Sequence, residues 1–285
     1  MVATEPLATR PLGPDDAAAA FALSTEAGWN QTTADWQFML EAGEAQGQVT
    51  LEGDLVASAL ILPYGDRVAW IGMVLTTKAH RRRGLATENL RWAIARCAAR
   101  GLIAGLDATP AGREVYAPLG FADGFGLGRL AARHPNLPEP AGHVLRLMRP
   151  GDLAAATALD AAAFGAERPA LLEYLLAIQP GCAWVATRND TLAGFVLGRA
   201  GRTTLHLGPL IARDPETATA LAARALAQVQ RPASIDVPDA QSVFRVRLIA
   251  AGFAPVRPFT RMLRHAPAAL GFPGLIFAIA GPELG

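Results

Sequence analysis

An internal repeat is the feature of this 285-residue sequence that most limits its fold. Two short segments recur 136 positions later and a third recurs 132 positions later, so a few residues are missing from the second copy. The matched positions are Asp16 and Asp152, Gly72 and Gly208, and Gly120-Phe121 and Gly252-Phe253. In both copies an acidic residue stands where a strand-like run passes into a helix, which is a common helix cap. We therefore expect two domains built on one plan.

The plan expected for each half is strand, one or two helices, hairpin, longer strand, helix, strand, helix and strand. This order predicts an α/β fold with a mixed sheet. Hairpin turns are expected at Gly53-Asp54 and at Asn189-Asp190, between runs in which apolar and polar residues alternate. A proline-rich polar stretch separates the halves. We predict one domain over residues 1–134, a linker over 135–142 and a second domain over 143–285.

A basic turn joins an apolar strand-like run to a helix-like run in the first half. The turn is His80–Ala86, between Val68–Leu75 and Leu85–Ala99. The first backbone N–H groups of a helix have no intrahelical partner, and an anion can accept hydrogen bonds from them. Gly84 permits a tight turn, and three arginines add positive charge. The junction predicts a phosphate-binding site, although a solvated arginine cluster would have the same sequence.

The spacing Arg81-x-x-Gly84-x-Ala86 fits the R/Q-x-x-G-x-G/A signature of the GCN5-related N-acetyltransferases (GNAT), and the chain resembles this family. The resemblance implies tandem GNAT folds, each with a mixed, mostly antiparallel sheet flanked by helices, and acetyl-CoA as co-substrate. It also implies that loop amides hold the pyrophosphate, while the preceding strand holds the pantetheine arm and the acetyl oxygen. The implied coenzyme-binding residues are Val74, Leu75, Thr76, Arg81, Arg82, Arg83, Gly84, Leu85, Ala86 and Thr87.

A second segment, from Thr109 to Phe121, is similar to the family pattern N-x-x-A-x-x-x-Y-x-x-x-G-F. The tyrosine of that pattern faces the departing CoA sulfur, so the resemblance makes Tyr116 the candidate general acid. A tyrosine packed on a helix face would fit the same position. Thr109 stands where the family has an Asn that contacts the pantetheine arm. No general base is assigned, because Asp107 can act through water or form a turn, and His80 is expected to be exposed.

The resemblance places the acceptor between the early helices and the last strands. Trp29 and Trp36 lie in the early stretch near Asp35, where aromatic rings and a carboxylate can frame an ammonium group. Tryptophans at helical spacing are also typical of a core. The implied acceptor is a primary amine of a small molecule or peptide. The ending Phe277–Gly285 resembles the tail of a group of two-domain bacterial acetyltransferases.

The second half has lost the residues that the resemblance ties to the coenzyme. The residues found there are Asp214, Glu216, Thr217, Ala220 and Leu248, with Ala220 opposite Gly84 and Leu248 opposite Tyr116. Carboxylates at a helix start repel a pyrophosphate. We therefore expect the second domain to be a degenerate copy that packs, shapes the acceptor pocket or holds a dimer.

Composition excludes several classes of partner. The formal net charge of +1 gives no general attraction for nucleic acid, and no apolar run reaches the length of about 20 residues that a membrane helix needs. The start of the chain lacks the pattern of a signal peptide. Cys97 and Cys182 have no metal-ligand spacing, so neither a metal site nor a disulfide framework is expected.

These observations predict a cytoplasmic N-acetyltransferase whose partners are an amine acceptor and, through the second half, another copy of the chain in a homodimer. Two other function classes stay open at this point. One is a protein that senses acetyl-CoA without turnover, and the other is an acyl or aminoacyl transferase of the same architecture.

Overall fold

The structure is a computed structural model that describes residues 6–189, 191–227, 229–266 and 270–285. The chain divides into two compact units between Gly105 and Leu106. This division falls earlier than the expected domain limit at residue 134, because the last strand of the first repeat pairs with strands of the second unit. The limits at 134 and 143 stay a prediction. Asp190, in the second expected hairpin turn, lies outside the described residues.

Unit 1 contains a five-stranded sheet with the order β1-β2-β3-β4-β5. Its neighbours are antiparallel except for the parallel pair β4 and β5. The elements, of which β5 continues past the division, are β1 Ala8–Leu12, α1 Ala17–Glu26, α2 Thr33–Ala42, β2 Glu44–Val49, β3 Leu55–Tyr64, β4 Val68–Thr76, α3 Leu85–Ala99 and β5 Ile103–Ala108.

The core of unit 1 forms where α1, α2 and α3 pack against β3. Residues of β3 and β4 are buried almost without interruption, as expected for central strands covered on both faces. Helix α2 begins at a capping box, in which the Thr32 hydroxyl accepts from the Asp35 N–H and the Asp35 carboxylate accepts from the Thr32 N–H. This cap sets the direction in which α2 enters the core.

Unit 2 contains a sheet with the order β12-β6-β11-β10-β9-β8-β7, and β13 pairs with β10 outside that path. Strands β10 and β11 form a parallel pair, and the other described pairs of unit 2 are antiparallel. The elements are α4 Pro110–Tyr116, β6 Ala122–Ala132, β7 Val144–Leu147, α5 Leu153–Phe164, α6 Pro169–Ile178, β8 Trp184–Arg188, β9 Thr191–Ala200, β10 Leu205–Ala212, α7 Pro215–Leu226, β11 Ala233–Pro238, α8 Ser242–Ala250, β12 Ala254–Arg264 and β13 Ile276–Ala278.

The order of elements confirms the α/β fold class and the repeat. Helices α1 and α5, and likewise α2 and α6, begin 136 positions apart. Helices α3 and α7 begin only 130 positions apart, because the connection between β10 and α7 is short. The missing residues of the second copy therefore lie in this loop. Of the helices in the described ranges, none combines the length and apolarity needed to cross a membrane.

The shortened loop corrects one alignment from the sequence. Gly84 is the residue immediately before α3, and Asp214 holds the same place before α7. Ala220 is therefore not the counterpart of Gly84, since a constant shift of 136 positions ignores the deletion. The correction leaves the conclusion unchanged, because a glycine at the helix start of one half is replaced by an acidic residue in the other.

Candidate active site

Strand β4 has a β-bulge near its C-terminal end, next to residues that pair with a neighbouring strand on one side. Its pairing with β3 shifts between Gly72 and Leu75, and Met73 has a positive φ of 53°. The Ser58 hydroxyl donates to the Met73 carbonyl at 2.8 Å and holds the bulge in place. The described register pairs β4 with β5 over Val68–Trp70. In the described register, the residues of β4 that follow Trp70 pair with β3 and not with β5.

The basic turn ends at Gly84, which adopts a left-handed conformation with φ of 83°. This φ favours glycine, and a Cβ built there would meet no atom within 4 Å, so the space beside Gly84 is open. The Glu88 N–H donates to the Gly84 carbonyl at 3.0 Å, which begins the hydrogen-bond ladder of α3. The amides of Leu85, Ala86 and Thr87 precede that ladder and can donate to an anion.

Side chain and backbone contacts hold this turn against the rest of unit 1. The Lys78 N–H donates to the Glu26 carboxylate at 2.6 Å, which ties the turn to the end of α1. The Thr77 hydroxyl and His80 Nδ1 are 2.8 Å apart and share a hydrogen bond. The first contact therefore ties the beginning of the turn to α1, and the second closes the turn on itself.

An open cleft of about 430 Å³ lies between the bulged end of β4, the turn and the start of α3. It brings together most of the coenzyme-binding residues expected from the sequence, but Arg83 is not part of its lining. The lining residues are Ala27, Trp29, Val74, Leu75, Thr76, His80, Arg81, Arg82, Gly84, Leu85, Ala86 and Thr87. The expectation that His80 is exposed is wrong, because it is partly buried and lines the cleft.

The chemistry of the cleft fits a long anionic ligand. Its lining contains three basic side chains, and no carboxylate is among the lining residues of the described chain. The Thr76 hydroxyl oxygen is buried and has no hydrogen-bond partner within the described residues. A buried polar atom without a partner is costly, so a ligand that bonds to it would stabilise the site. The cleft thus fits the phosphates and the polar arm of acetyl-CoA.

Thr109 and Tyr116 belong to unit 2, at the two ends of α4. The Thr109 hydroxyl accepts a hydrogen bond from the Gly112 N–H at 3.2 Å and caps this helix. The Tyr116 ring is tilted against Phe121, with 6.3 Å between ring centroids. Burial raises the pKa of the Tyr116 phenol above its ordinary value near 10. Its hydroxyl is therefore protonated at neutral pH, as a general acid must be.

Two candidates from the sequence occupy structural positions. Trp36 is fully buried and its indole N–H donates to the Ser24 hydroxyl at 3.0 Å, so it belongs to the core of unit 1 and is not among the residues that line the cleft. Asp107 has no exposed side-chain surface and accepts two hydrogen bonds from Arg261, at 2.9 and 2.8 Å. A carboxylate held in this way is not available as a base through water. Trp29 alone of the two tryptophans lines the cleft.

The corresponding junction in unit 2 has a different chemistry. The Asp214 carboxylate accepts from the Thr217 N–H at 2.7 Å and caps α7. An anion that belongs to the protein itself therefore occupies the start of this helix. Strand β13 pairs with β10 at Leu210 and Ile211 and covers this part of the strand. Leu248, opposite Tyr116 in the repeat, is fully buried. No group of His, Cys, Asp and Glu suited to a metal ion occurs in the residues that the structure describes.

Comparisons with known proteins find a GNAT match in each half of the chain. The Acetyltransferase (GNAT) family model matches residues 16–121, and an Acetyltransferase (GNAT) domain model matches residues 156–278. The uncharacterized N-acetyltransferase YitH of Bacillus subtilis (strain 168) is 28% identical over 234 residues, which are 81% of this chain and 82% of YitH.

Solved structures share the fold over most of the chain. A putative acetyltransferase from Pyrococcus horikoshii has a TM-score of 0.81 at 21% identity, over 100% of this chain and 98% of its own. A tandem GNAT protein from the clavulanic acid biosynthesis pathway has a TM-score of 0.61 at 17% identity, over 93% of this chain and 100% of its own. With a match in each half, the chain belongs to the GNAT superfamily of N-acetyltransferases and carries two GNAT domains in tandem.

Proposed function

We propose that this GNAT protein transfers the acetyl group of acetyl-CoA to a primary amine of a small molecule or peptide by direct attack, with the coenzyme in the cleft of unit 1. The observation that carries the proposal is the cleft itself, where an open helix start, two arginines and the bulged end of β4 share one lining. Acetyl-CoA supplies the activated acetyl group. The residues of the chain bind it, orient it and exclude competing partners.

The turn and helix α3 would hold the pyrophosphate. Amides at the start of α3 can donate to its oxygens, and Arg81 and Arg82 supply charge at the same edge of the cleft. Gly84 keeps the approach open because it has no side chain. These contacts would fix the coenzyme at its pyrophosphate. The position of its thioester would then depend on contacts with β4, the strand beside it.

The end of β4 would hold the other part of the coenzyme. Backbone groups of Val74, Leu75 and Thr76 lie along the cleft, where they can bond to the pantetheine arm and to the acetyl oxygen. A fixed N–H aimed at an oxygen that gains negative charge lowers the barrier to acyl transfer. The buried Thr76 hydroxyl adds a polar group that currently bonds to no described residue.

Tyr116 is the proposed general acid for the departing CoA thiolate. Burial raises the pKa of this phenol above its ordinary value, so Tyr116 is protonated near neutral pH. Deprotonation of Tyr116 therefore does not lower kcat between about pH 6 and 8. A kcat that falls over this range in the wild type but not in Tyr116→Phe would contradict the assignment.

Fewer residues support the proposed binding site of the acceptor amine. Trp29 lines the cleft and offers an aromatic face to an ammonium group, while Trp36 is excluded by its burial. The second half is proposed to shape the acceptor pocket or to hold a homodimer contact. The near-neutral charge supports a small amine rather than a nucleic acid, and a cytoplasmic location stays a proposal.

One observation favours a second candidate function. The lining of the cleft includes no carboxylate among the described residues, so it offers no evident base for an amine. A protein that binds acetyl-CoA as a signal, without turnover, would need none. The second candidate predicts tight binding and no release of CoA.

A single pair of measurements separates the two functions. Calorimetry measures the affinity for acetyl-CoA, and a thiol reagent measures CoA release with a panel of primary amines. The enzyme predicts amine-dependent release that falls about 10- to 100-fold in Tyr116→Phe, with unchanged acetyl-CoA affinity. Binding without release on any amine favours the sensor, and the absence of binding contradicts both functions.

A further inference from the structure

The β-bulge of β4 places one extra residue in that strand. Gly72 pairs with Leu60 of β3 before the bulge. Leu75 pairs with Ser58 after it, so two residues of β4 lie opposite one residue of β3. A bulge of this kind takes backbone groups out of the ladder and changes the direction in which they point. The peptide groups of the bulge therefore need partners other than those of regular strand pairing.

One peptide group of the bulge connects Ser58 with the cleft. The Ser58 hydroxyl donates to the Met73 carbonyl at 2.8 Å, and the peptide bond that follows Met73 is trans. In a trans peptide the carbonyl and the next N–H point in opposite directions, so this contact also sets the direction of the Val74 N–H. Val74 lines the cleft, and in the described register β5 does not reach it. The Val74 N–H is therefore a donor that points away from Ser58, on the open side of β4.

This peptide group is held in an uncommon conformation. Met73 has a positive φ of 53°, which a residue with a side chain keeps where its surroundings impose it. Ser58 is fully buried and Met73 is 1% exposed, so bulk water has little access to the Met73 carbonyl. A buried carbonyl that loses its donor is costly. Removal of the Ser58 hydroxyl would therefore favour a rotation of the peptide group, and the Val74 N–H would turn with it.

The second half has a bulge in the corresponding strand but lacks this contact. The bulge of β10 contains Pro209, which has no N–H. The two residues of β9 that pair with β10 directly after the bulge are Val196 and Phe195, and neither has a hydroxyl. A bulge between these two strands therefore forms without a serine. The Ser58 contact is specific to the half that has the open cleft.

We infer that Ser58 is a positioning residue for acetyl transfer, because its hydrogen bond to Met73 turns the Val74 N–H towards the cleft, where it can donate to the acetyl oxygen. As the amine nitrogen bonds to the thioester carbon, an electron pair of the C=O bond moves to this oxygen, and it returns when the CoA thiolate leaves. A donor fixed in advance stabilises that charge without reorganisation. Ser58 is buried and does not line the cleft, so it acts through the backbone. This inference rests on the proposed function.

The affinities of two coenzyme derivatives test this role without turnover. S-ethyl-CoA lacks the carbonyl oxygen of acetyl-CoA but keeps the pyrophosphate and the pantetheine arm. In calorimetry on the full wild-type chain, we expect acetyl-CoA to bind about fivefold more tightly than S-ethyl-CoA, which is the effect of one hydrogen bond. In Ser58→Ala this ratio should fall to about one, while the affinity for S-ethyl-CoA stays within about twofold. Equal affinities in the wild type, or an unchanged ratio in Ser58→Ala, would overturn the inference.

Ser24→Ala is the matched control for a merely structural role. Ser24 is also fully buried in unit 1, and its hydroxyl donates to the Phe21 carbonyl at 3.0 Å. Both substitutions remove a buried hydroxyl, so both should lower the midpoint of unfolding in urea. Only Ser58→Ala should change the affinity ratio. A ratio that falls equally in Ser24→Ala would assign the effect to general stability and overturn the inference.

A second variant covers the case in which Ser58→Ala does not fold. Ser58→Cys keeps a side chain of similar shape, but a thiol is a weaker donor than a hydroxyl. The affinity ratio of Ser58→Cys should therefore lie between one and the wild-type value. A ratio equal to that of the wild type would overturn the inference.

Turnover of an amine then separates positioning from binding. In Ser58→Ala, kcat should fall about tenfold or more, because a displaced donor no longer meets the charge that develops on the acetyl oxygen. KM for the amine should stay within about twofold, and Ser24→Ala should keep the kcat of the wild type. A rise in KM with unchanged kcat in Ser58→Ala would overturn the inference. If the wild type acetylates no amine, the proposed function fails, and the affinity ratio still decides whether Ser58 positions the Val74 N–H.

Discussion

The two strand-to-helix junctions, β4–α3 in unit 1 and β10–α7 in unit 2, start from the same plan and end with opposite properties. Both strands are bulged at the same point of the repeat, at Met73 and at Gly208-Pro209. Eight residues, 77–84, then connect strand and helix in unit 1, whereas Arg213 and Asp214 alone connect them in unit 2. A basic turn precedes α3 and a short acidic cap precedes α7, so we propose that only the first junction binds a phosphate.

The strand edges differ as much as the loops. In unit 1, Val74 to Thr76 line an open cleft. In unit 2, β13 pairs with β10, and a Cβ at Gly208 would clash with the Ile279 carbonyl oxygen. In unit 2 the backbone of β13 therefore covers the strand edge whose counterpart in unit 1 is open. From this comparison we propose that the second GNAT domain keeps its sheet but has no coenzyme site, because its loop is shorter and an extra strand covers its β10.

The largest effect is expected from Gly84→Glu, which gives unit 1 an acid at the position of Asp214. Its φ of 83° strains a residue with a side chain, and the new carboxylate repels the pyrophosphate. We expect acetyl-CoA affinity to fall at least 100-fold, or about 2.7 kcal/mol, in calorimetry. Gly84→Asn is the matched control, because Asn tolerates the left-handed conformation without charge, and its affinity should be much closer to that of the wild type. Unchanged affinity in Gly84→Glu would reject the site.

The second-largest effect is expected for a substitution in the C-terminal segment that follows β13. Glu283 is buried and pairs with the buried Arg199 on β9, so Glu283→Gln leaves a buried guanidinium without its counter-charge. We expect the free energy of unfolding in urea to fall by about 3 kcal/mol. Acetyl-CoA affinity should stay within twofold, since the cleft belongs to unit 1. Asp123→Asn, which removes an exposed ion pair with Arg113, is the control and should change stability far less. A large loss of affinity in Glu283→Gln would contradict the separation of roles.

A smaller effect is expected at the buried hydroxyl of the cleft. Thr76→Val keeps the shape of the side chain and removes its one polar atom. If the hydroxyl bonds to the coenzyme, affinity should fall about fivefold, or about 1 kcal/mol, while the ligand-free protein keeps its stability because that atom has no partner within the described residues. Thr9→Val, at an exposed position of β1, is the control. Reduced stability with unchanged affinity would show that the hydroxyl is structural.

The smallest effect is expected for Glu216→Ala in the second junction. Glu216 pairs with Arg247 at 2.8 Å on the exposed side of α7. We expect its loss to leave acetyl-CoA affinity within twofold of the wild type. A tenfold or larger gain or loss in calorimetry would mean that the coenzyme also contacts unit 2 at this helix, and the two junctions would then have to be considered one site.

The parts of the site that the sequence predicted are contiguous in the chain. The turn from Arg81 to Ala86, the helix after it and the strand before it were all expected, because amides at a helix start and glycine at a positive φ follow from local geometry. The repeat was also predictable, since it rests on matched spacing. The error at Ala220 arose where a deletion changed that spacing.

Other features depended on contacts that spacing does not encode. Trp36 and Trp29 are similar in sequence context, yet one is in the core and the other lines the cleft. Asp107 was a candidate base until Arg261, far away in the chain, proved to bind it. The buried Thr76 hydroxyl carries no sequence signal at all, because burial is a property of the packed sheet.

Two kinds of information therefore specify this protein. Local order in the chain was sufficient for the GNAT plan, the basic turn before α3 and the different residues of the two junctions, because each depends on neighbouring residues and their backbone conformation. The tertiary structure alone decided that β13 covers β10 and that Trp36 and the Asp107 carboxylate are buried. Strand pairing joins residues that lie far apart in the chain, and the free energy of a buried charge depends on those neighbours.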